Sequence, residues 1–280
     1  MNEDTENHPL IAFVGGGNMA SSIISGLVSA GHSAARIRAA DPVEELRTTL
    51  TEKYGIVCHQ DNVECVSGAD VVVLAVKPQL LRHVVEPLAR LLKNSRPLVI
   101  SIAAGISSDD IVAWSGGRIP CVRAMPNTPA LVNCGVSGLY ANFECSAAQR
   151  LQAAELMAAV GKIVWVKDES LINTVTGVSG SGPAYFFKMM ELMMEQAMAN
   201  GLDAESAHTL VVETALGAAM LIRQSPLSPA DLRKQVTSPR GTTDAAINAM
   251  ENGGIDDAVR DGVQAAISRS AELSEQFGGA

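Results

Sequence analysis

The chain has 280 residues, 47% of them apolar and 18% charged, with a formal charge of −9. A chain of this length buries a large core and favours two domains over one. Its negative charge argues against nucleic acid or an anionic membrane surface as a partner, so any anionic cofactor must be held by local features. The five cysteines (Cys58, Cys65, Cys121, Cys134 and Cys145) contain no CxxC pair and read as reduced thiols of a cytosolic protein. Residues 1–9 are polar and acidic, unlike a signal or transit peptide, and no apolar run approaches the ~20 residues of a membrane helix. A cytoplasmic protein without membrane attachment is expected.

In chain order, Leu10–Val14 is a short apolar run that ends at Gly15-Gly16-Gly17 and reads as a buried parallel strand. From Asn18 to Ala30 the pattern turns helical, with Met19, Ile23, Ile24, Leu27 and Val28 on one face and Gly31 as the stop. Strand, glycine turn and helix open a dinucleotide-binding unit with the fingerprint Gly15-x-Gly17-x-x-Ala20. Gly15 permits the tight turn, Gly17 the approach of a pyrophosphate, and Ala20 close helix–strand packing, while the helix N-terminus offers amides to phosphate. A second strand near 35–40 leads to Asp41-Pro42, about 20 residues past the glycines. There an acidic residue would take the ribose 2′-hydroxyl, favouring NAD over NADP. Arg36, Arg38 and Arg47 lie close enough in sequence to compensate, and an Asp-Pro turn capping the helix 43–53 is the plain structural alternative.

A weak strand at 56–58 and a loop with Asn62 precede the strong run Asp70–Val76, which ends abruptly at Lys77-Pro78. Helix 79–92 and strand 98–102 follow, and the strand breaks at Ala103-Ala104-Gly105, small residues that either leave room for a ring or make a tight turn. Helix 108–114 and strand 119–125 lead to Pro126-Asn127-Thr128-Pro129, a stiff polar loop expected to wall the site. Strand 132–140, helix 147–160 and strand 162–166 complete a sheet of about eight strands. None of the five histidines (His8, His32, His59, His83 and His208) falls at a predicted strand end facing the cleft, and no metal-ligand spacing appears.

The stretch Gly177–Tyr185 changes the texture of the chain, and no strand is expected after it. Helices are expected over 185–199, 204–223, 229–236, 244–251 and 255–276. The first two are apolar nearly all round, which calls for burial on more than one side and points to a partner subunit. Their methionines read as core packing rather than a flexible binding surface. Val236–Thr243 holds several hydroxyls and free amides at a helix start, which could receive a carboxylate.

The chemistry narrows on one comparison. The β-hydroxyacid dehydrogenases share a layout of nucleotide domain plus helices, and a catalytic lysine follows their junction glycines by four residues. Here Gly177, Gly180 and Gly182 fit that pattern, but the lysine position is Phe186 and Lys188 lies about 160° away around the helix. The base for alcohol oxidation is missing, whereas an imine needs no such base.

The chain resembles the pyrroline-5-carboxylate reductases. The resemblance rests on Val14–Met19, Ala75–Pro78, Ile102–Gly105, Arg123–Ala130, Gly177–Tyr185 and Val236–Thr243, in the family's order across nearly the whole chain. It implies an α/β fold, with an N-terminal Rossmann-type dinucleotide-binding domain (residues 1–168) and an all-α C-terminal substrate and dimerisation domain (169–280). It also implies reduction of 1-pyrroline-5-carboxylate, a cyclic imine carboxylate, to L-proline by an enzyme that is a homo-oligomer through its C-terminal helices. NADP(H) is the implied cofactor, with NAD(H) kept open by Asp41.

Carried over by position, Gly15, Gly16, Gly17, Asn18, Met19, Ala20, Asn62, Ala75, Val76, Lys77, Pro78, Ala103 and Ala104 would hold the cofactor beside Asp41. Ser238, Gly241, Thr242 and Thr243 would hold the substrate, with Glu169 as a neighbour and Thr243 as donor or proton relay to the imine nitrogen. Arg240 departs from the family's usual glycine. A related imine reductase and an inactive cofactor-binding regulator are the alternatives.

Overall fold

The structure is a computed structural model that describes residues 8–278. Eight strands form one sheet: β1 (Ile11–Val14), β2 (Ile37–Ala40), β3 (Val57–His59), β4 (Val71–Leu74), β5 (Leu98–Ser101), β6 (Cys121–Met125), β7 (Gly135–Ala141) and β8 (Gly161–Trp165). Their order is β3-β2-β1-β4-β5-β6-β7-β8. The first six are parallel; β7 runs antiparallel to β6, and β8 is parallel to β7. Strand β1 pairs with β2 on one side and β4 on the other, so the strand order reverses at β1, the switch point at which open α/β sheets bind ligands.

Every residue of β1, β4 and β5 is buried, because helices cover both faces of the sheet. On one face Ile11, Phe13, Val73 and Ile100 share a core with Ile23 and Ile24 of α1 (Asn18–Ser29) and Met157 of α6 (Ala147–Ala158). On the other, Val14, Val72, Leu74 and Val99 share a core with Leu81 and Leu88 of α4 (Pro78–Ser95) and Ile111 of α5 (Ser108–Trp114). Each such aliphatic side chain contributes about 1.5–3 kcal/mol by leaving water. Proline at the first position starts α4, and reciprocal caps start α5 (Ser107 with Asp110) and α6 (Ser146 with Gln149).

Local chemistry moved several expected elements. Residues around Asn62 form a helix, α3 (Asn62–Val66), because the Asp61 side chain accepts the Glu64 amide and caps it. The strand expected from 132 starts at Gly135, since Thr128–Val132 is a 3₁₀ turn that ends at Asn133 in the left-handed conformation. The glycine stretch after 176 is helical. Short helix α7 (Leu171–Val175) runs into a π-helical turn, Thr176–Gly180, closed by the Ser181 amide donating to the Thr176 carbonyl, and then into α8 (Gly182–Ala199).

The chain divides into two compact units. One comprises the sheet and its helices up to Ser181, together with residues from Ala265 on; the other is Gly182–Gln264. Residues 169–181 belong with the sheet because Ile172 is buried, and Ser108 and Arg123 bind the carboxylate of Glu169.

The second unit holds α8, α9 (Ala204–Gln224), α10 (Pro229–Gln235), α11 (Thr242–Asn252) and the start of α12 (Ile255–Gly278), with no strand among the described residues. Phe186 and Phe187 are 68% and 63% exposed, and Leu192, Met193, Leu216 and Leu221 are exposed as well. The apolar helices expected to be buried on several sides are therefore open in the single chain. No helix among the described residues is long and apolar enough to cross a membrane.

Burial also sorts the thiols. Cys65, Cys121 and Cys145 are buried, Cys58 is half-buried and Cys134 is exposed. Burial pushes the Cys65 thiol up to about 12 and raises that of Cys121 well above its ordinary value. Iodoacetamide at mildly alkaline pH should alkylate Cys134 first in the native protein, and Cys65 and Cys121 only after denaturation. Peptide mass spectrometry reads the order.

Candidate active site

The parallel register places Val14, Ala40, Leu74 and Ser101 in one row, with His59 level with Ala40. The residues that follow leave the sheet at a single edge: Gly15, Asp41, Ala75 and Ile102. Gly15 has φ 102°, and a Cβ there would lie 2.6 Å from the Ala75 carbonyl oxygen. The turn therefore requires the conformational range of glycine and the absence of a side chain. Gly17 caps α1 without a side-chain bond, and a Cβ there would meet nothing within 4 Å. The first amides of α1 have no intrahelical acceptors. A bare helix start behind a tight turn fits the pyrophosphate of a dinucleotide. Asn18 is exposed, Met19 half-buried and Ala20 buried in the core.

Asp41 is 9% exposed. Its Oδ2 accepts the Gly16 amide at 2.8 Å, and its Oδ1 accepts the Val43 amide at 2.9 Å. The same edge holds Asn62 at the start of α3, and the segment from Ala75 to Pro78 leading into α4. It also holds Ala103 and Ala104 in the turn after β5, where Ala103 is buried and Ala104 half-buried. The sheet thus brings every residue expected to hold a cofactor to one edge. His59 belongs there too, against expectation. It ends β3, its Nδ1 lies 3.6 Å from Glu64, and its Nε2 is buried without a partner. The strand expected at 56–58 is shifted by one residue, which hid this placement.

Beyond β6, the stiff loop is an anchor. Asn127 is buried, donates to the Ser179 carbonyl at 3.1 Å and accepts the Val136 amide at 2.9 Å. It thereby holds the π-helical turn against the end of β6, and a Cβ at Gly180 would lie 2.7 Å from the Met125 methyl. Glu169, expected beside the substrate, has both carboxylate oxygens engaged by protein donors. Oε1 accepts the Ser108 amide at 2.6 Å and Arg123 Nη1 at 3.0 Å, and Oε2 accepts the Ser108 hydroxyl at 2.6 Å. The pair is shielded, with side-chain exposures of 6% for Arg123 and 21% for Glu169. A charged residue inside the apolar strand at 119–125 was the sequence signal for a buried partner.

In the helical unit, Ser238, Gly241, Thr242 and Thr243 come together at the start of α11. The Gly241 amide donates to the Ser238 carbonyl at 2.9 Å, and Gly241 caps the helix without a side-chain bond. Thr242 is exposed and Thr243 half-buried. Arg240 adopts φ 60°, the left-handed region, and its amide donates to Asp244 Oδ2 at 3.0 Å. Helix start and hydroxyls make a group suited to a carboxylate.

A pyrroline-5-carboxylate reductase of Pseudomonas aeruginosa is 50% identical over 270 residues, covering 96% of this chain and 98% of that protein. The chain belongs to the pyrroline-5-carboxylate reductase family. The family's counterpart in Vibrio alginolyticus is 43% identical over 96% of this chain and 99% of its own length. Family models match residues 169–273 (pyrroline-5-carboxylate reductase dimerisation) and 10–105 (NADP oxidoreductase coenzyme F420-dependent).

Among solved structures, the pyrroline-5-carboxylate reductase of Coxiella burnetii superposes with a TM-score of 0.91 at 41% identity, covering 96% of this chain and 99% of that one. The Plasmodium falciparum pyrroline carboxylate reductase, solved with NADP bound, gives 0.86 at 25% identity, covering 95% and 98%.

Two substitutions test these local assignments in this reductase family member. Glu169→Ala leaves Arg123 buried and unpaired, and should cost about 3 kcal/mol of stability by urea denaturation. Arg240→Gly removes a left-handed arginine and should raise stability by about 0.5–1 kcal/mol, read as a higher melting midpoint.

Proposed function

We propose that this chain reduces 1-pyrroline-5-carboxylate to L-proline, the last step of proline biosynthesis, with NADP(H) as reductant and NAD(H) as the alternative. The observation that carries this reading is the full-length match to reductases of that name, on a chain that keeps both the glycine turn and the hydroxyl-rich helix start. The bound dihydronicotinamide supplies the hydride.

The chain's own residues bind and orient. Amides at the start of α1, from Asn18 to Ala20, take the pyrophosphate behind Gly15, Gly16 and Gly17, with Asp41 and Asn62 on the adenosine side. Small side chains at Ala75, Ala103 and Ala104 leave room for the nicotinamide ring, flanked by Val76, Lys77 and Pro78. In the helical unit Ser238, Gly241 and Thr242 receive the substrate carboxylate, and Thr243 donates a hydrogen bond to the imine nitrogen. Glu169 acts on the substrate indirectly, by fixing Arg123 and the start of α5. Holding hydride donor and acceptor in one orientation supplies most of the rate. The position four residues after Gly182 is Phe186, so no lysine base serves the reaction and none is required.

The exposed apolar faces of α8 and α9 make the chain a homo-oligomer through its C-terminal helices, and the cytoplasm is its compartment. The test is oxidation of NADPH or NADH by the purified protein with pyrroline-5-carboxylate, compared with other imines and 2-oxo acids. Thr243→Ala should lower kcat by about 100-fold with cofactor affinity unchanged. Full turnover in that variant removes Thr243 from the mechanism, and no turnover of any imine by the parent protein overturns the reaction.

A further inference from the structure

The turn after β5, Ala103-Ala104-Gly105, is held at its ends by hydrogen bonds and at its tip by packing. The Ile102 amide donates to the Leu74 carbonyl at 3.1 Å, and the Ser107 amide donates to Asp110 Oδ2 at 3.1 Å. Between those ties the backbone passes through Gly105 at φ 72°, in the left-handed region.

That tip meets the far end of the chain. A Cβ at Gly105 would lie 3.3 Å from the Leu273 carbonyl carbon and 3.4 Å from the Leu273 Cβ. The backbone of α12 therefore runs close against the turn, in the room a missing side chain leaves. Phe277 stands four residues beyond Leu273, on the same face of the helix. It is half-buried and packs against the core that contains Ala103 and Ile106, which flank the tip. Gly278 ends the helix against the Asp110 carboxylate, the group that also caps α5, and a Cβ at Gly278 would overlap it. Further back, the Ser270 hydroxyl donates to Asn173 at 2.8 Å, an anchor of α12 separate from the turn.

We propose that the end of α12 braces the nicotinamide turn, with Phe277 as its positioning residue. Phe277 acts through Ala103, Ala104 and Gly105 and makes no contact with the reacting atoms. This rests on the reading of that turn as the seat of the nicotinamide ring. Hydride transfer depends steeply on where the ring lies, and a shift of about 1 Å costs on the order of 100-fold in rate. A turn fixed at its ends and braced at its tip holds the ring more narrowly than one fixed at its ends alone.

The experiment compares the parent full-length protein with Phe277→Ala, Phe277→Met and Ser270→Ala. Each is titrated by calorimetry with NADPH and with 2′-phospho-ADP-ribose, which lacks the nicotinamide. NADH and ADP-ribose form a second pair. Phe277→Ala should weaken the whole dinucleotide by about tenfold and leave the fragment within about twofold. Its kcat for imine reduction should fall by about tenfold or more, with KM for the imine little changed. Phe277→Met refills the space with a flexible apolar chain and should restore most of both losses. Ser270→Ala should lower the melting midpoint and leave the ratio of the two affinities unchanged. If Phe277→Ala does not fold, Phe277→Val should show the same selective loss.

A merely structural Phe277 would weaken dinucleotide and fragment together, or neither, and either result overturns the inference. So does an equal selective loss in Ser270→Ala, which would trace the effect to general loosening of α12. The titrations need no turnover. A selective loss of the dinucleotide in a protein that reduces no imine keeps the brace and fails the proposed reaction; imine reduction with affinities that move together does the reverse.

Discussion

The carboxyl edge of this sheet depends on how closely Gly15 lets β1 approach β4. A methyl group at that position would press into the Ala75 carbonyl, so the two strand ends meet backbone to backbone. That contact lets the next two glycines turn out over the edge and start α1 with its amides bare. Asp41 then holds the turn in place through the Gly16 amide. One missing side chain and one buried carboxylate thus shape the opening and the bare helix start together.

Much of this was legible in the sequence, because strands buried on both faces leave continuous β-branched runs. Val71–Leu74 and Leu98–Ser101 could be read as strands from their letters alone, and the glycine fingerprint placed the first turn. What stayed hidden depended on single hydrogen bonds. Asp61 converts a loop into α3, and Asn133 delays β7 by taking a left-handed turn. The glycines near 177, legible only as a change of texture, sit in a π-helical turn whose Ser179 carbonyl is taken up by Asn127. Burial of Glu169 could not be read from its own position, since its partners lie about 46 and 61 residues away and only folding brings them close.

The helical unit follows a different logic. Its helices are capped locally by Asp203 and Ser228, yet few of its side chains are buried, so a core within the single chain contributes little to holding them. The start of α11 shows the same economy. Gly241 caps it without a side-chain bond, and the neighbouring Arg240 adopts the conformation that glycine would adopt freely. The hydroxyl-rich stretch proposed to hold the substrate therefore sits on a turn held by the Asp244 carboxylate, a bond between residues only four apart.

The last helix has a bearing on how the protein is made. Residues from Ala265 on pack with the sheet: Ser270 donates to Asn173, and Phe277 lies against the core beneath α4 and α5. The sheet begins near residue 11, but its packing is completed by a segment more than 250 residues later in the chain. A ribosome releasing the chain from its N-terminus exposes all eight strands well before that segment emerges. The nascent sheet must therefore wait, with one flank uncovered, until synthesis has passed through the whole helical unit. The interval before that segment emerges is when a chaperone would have most to hold.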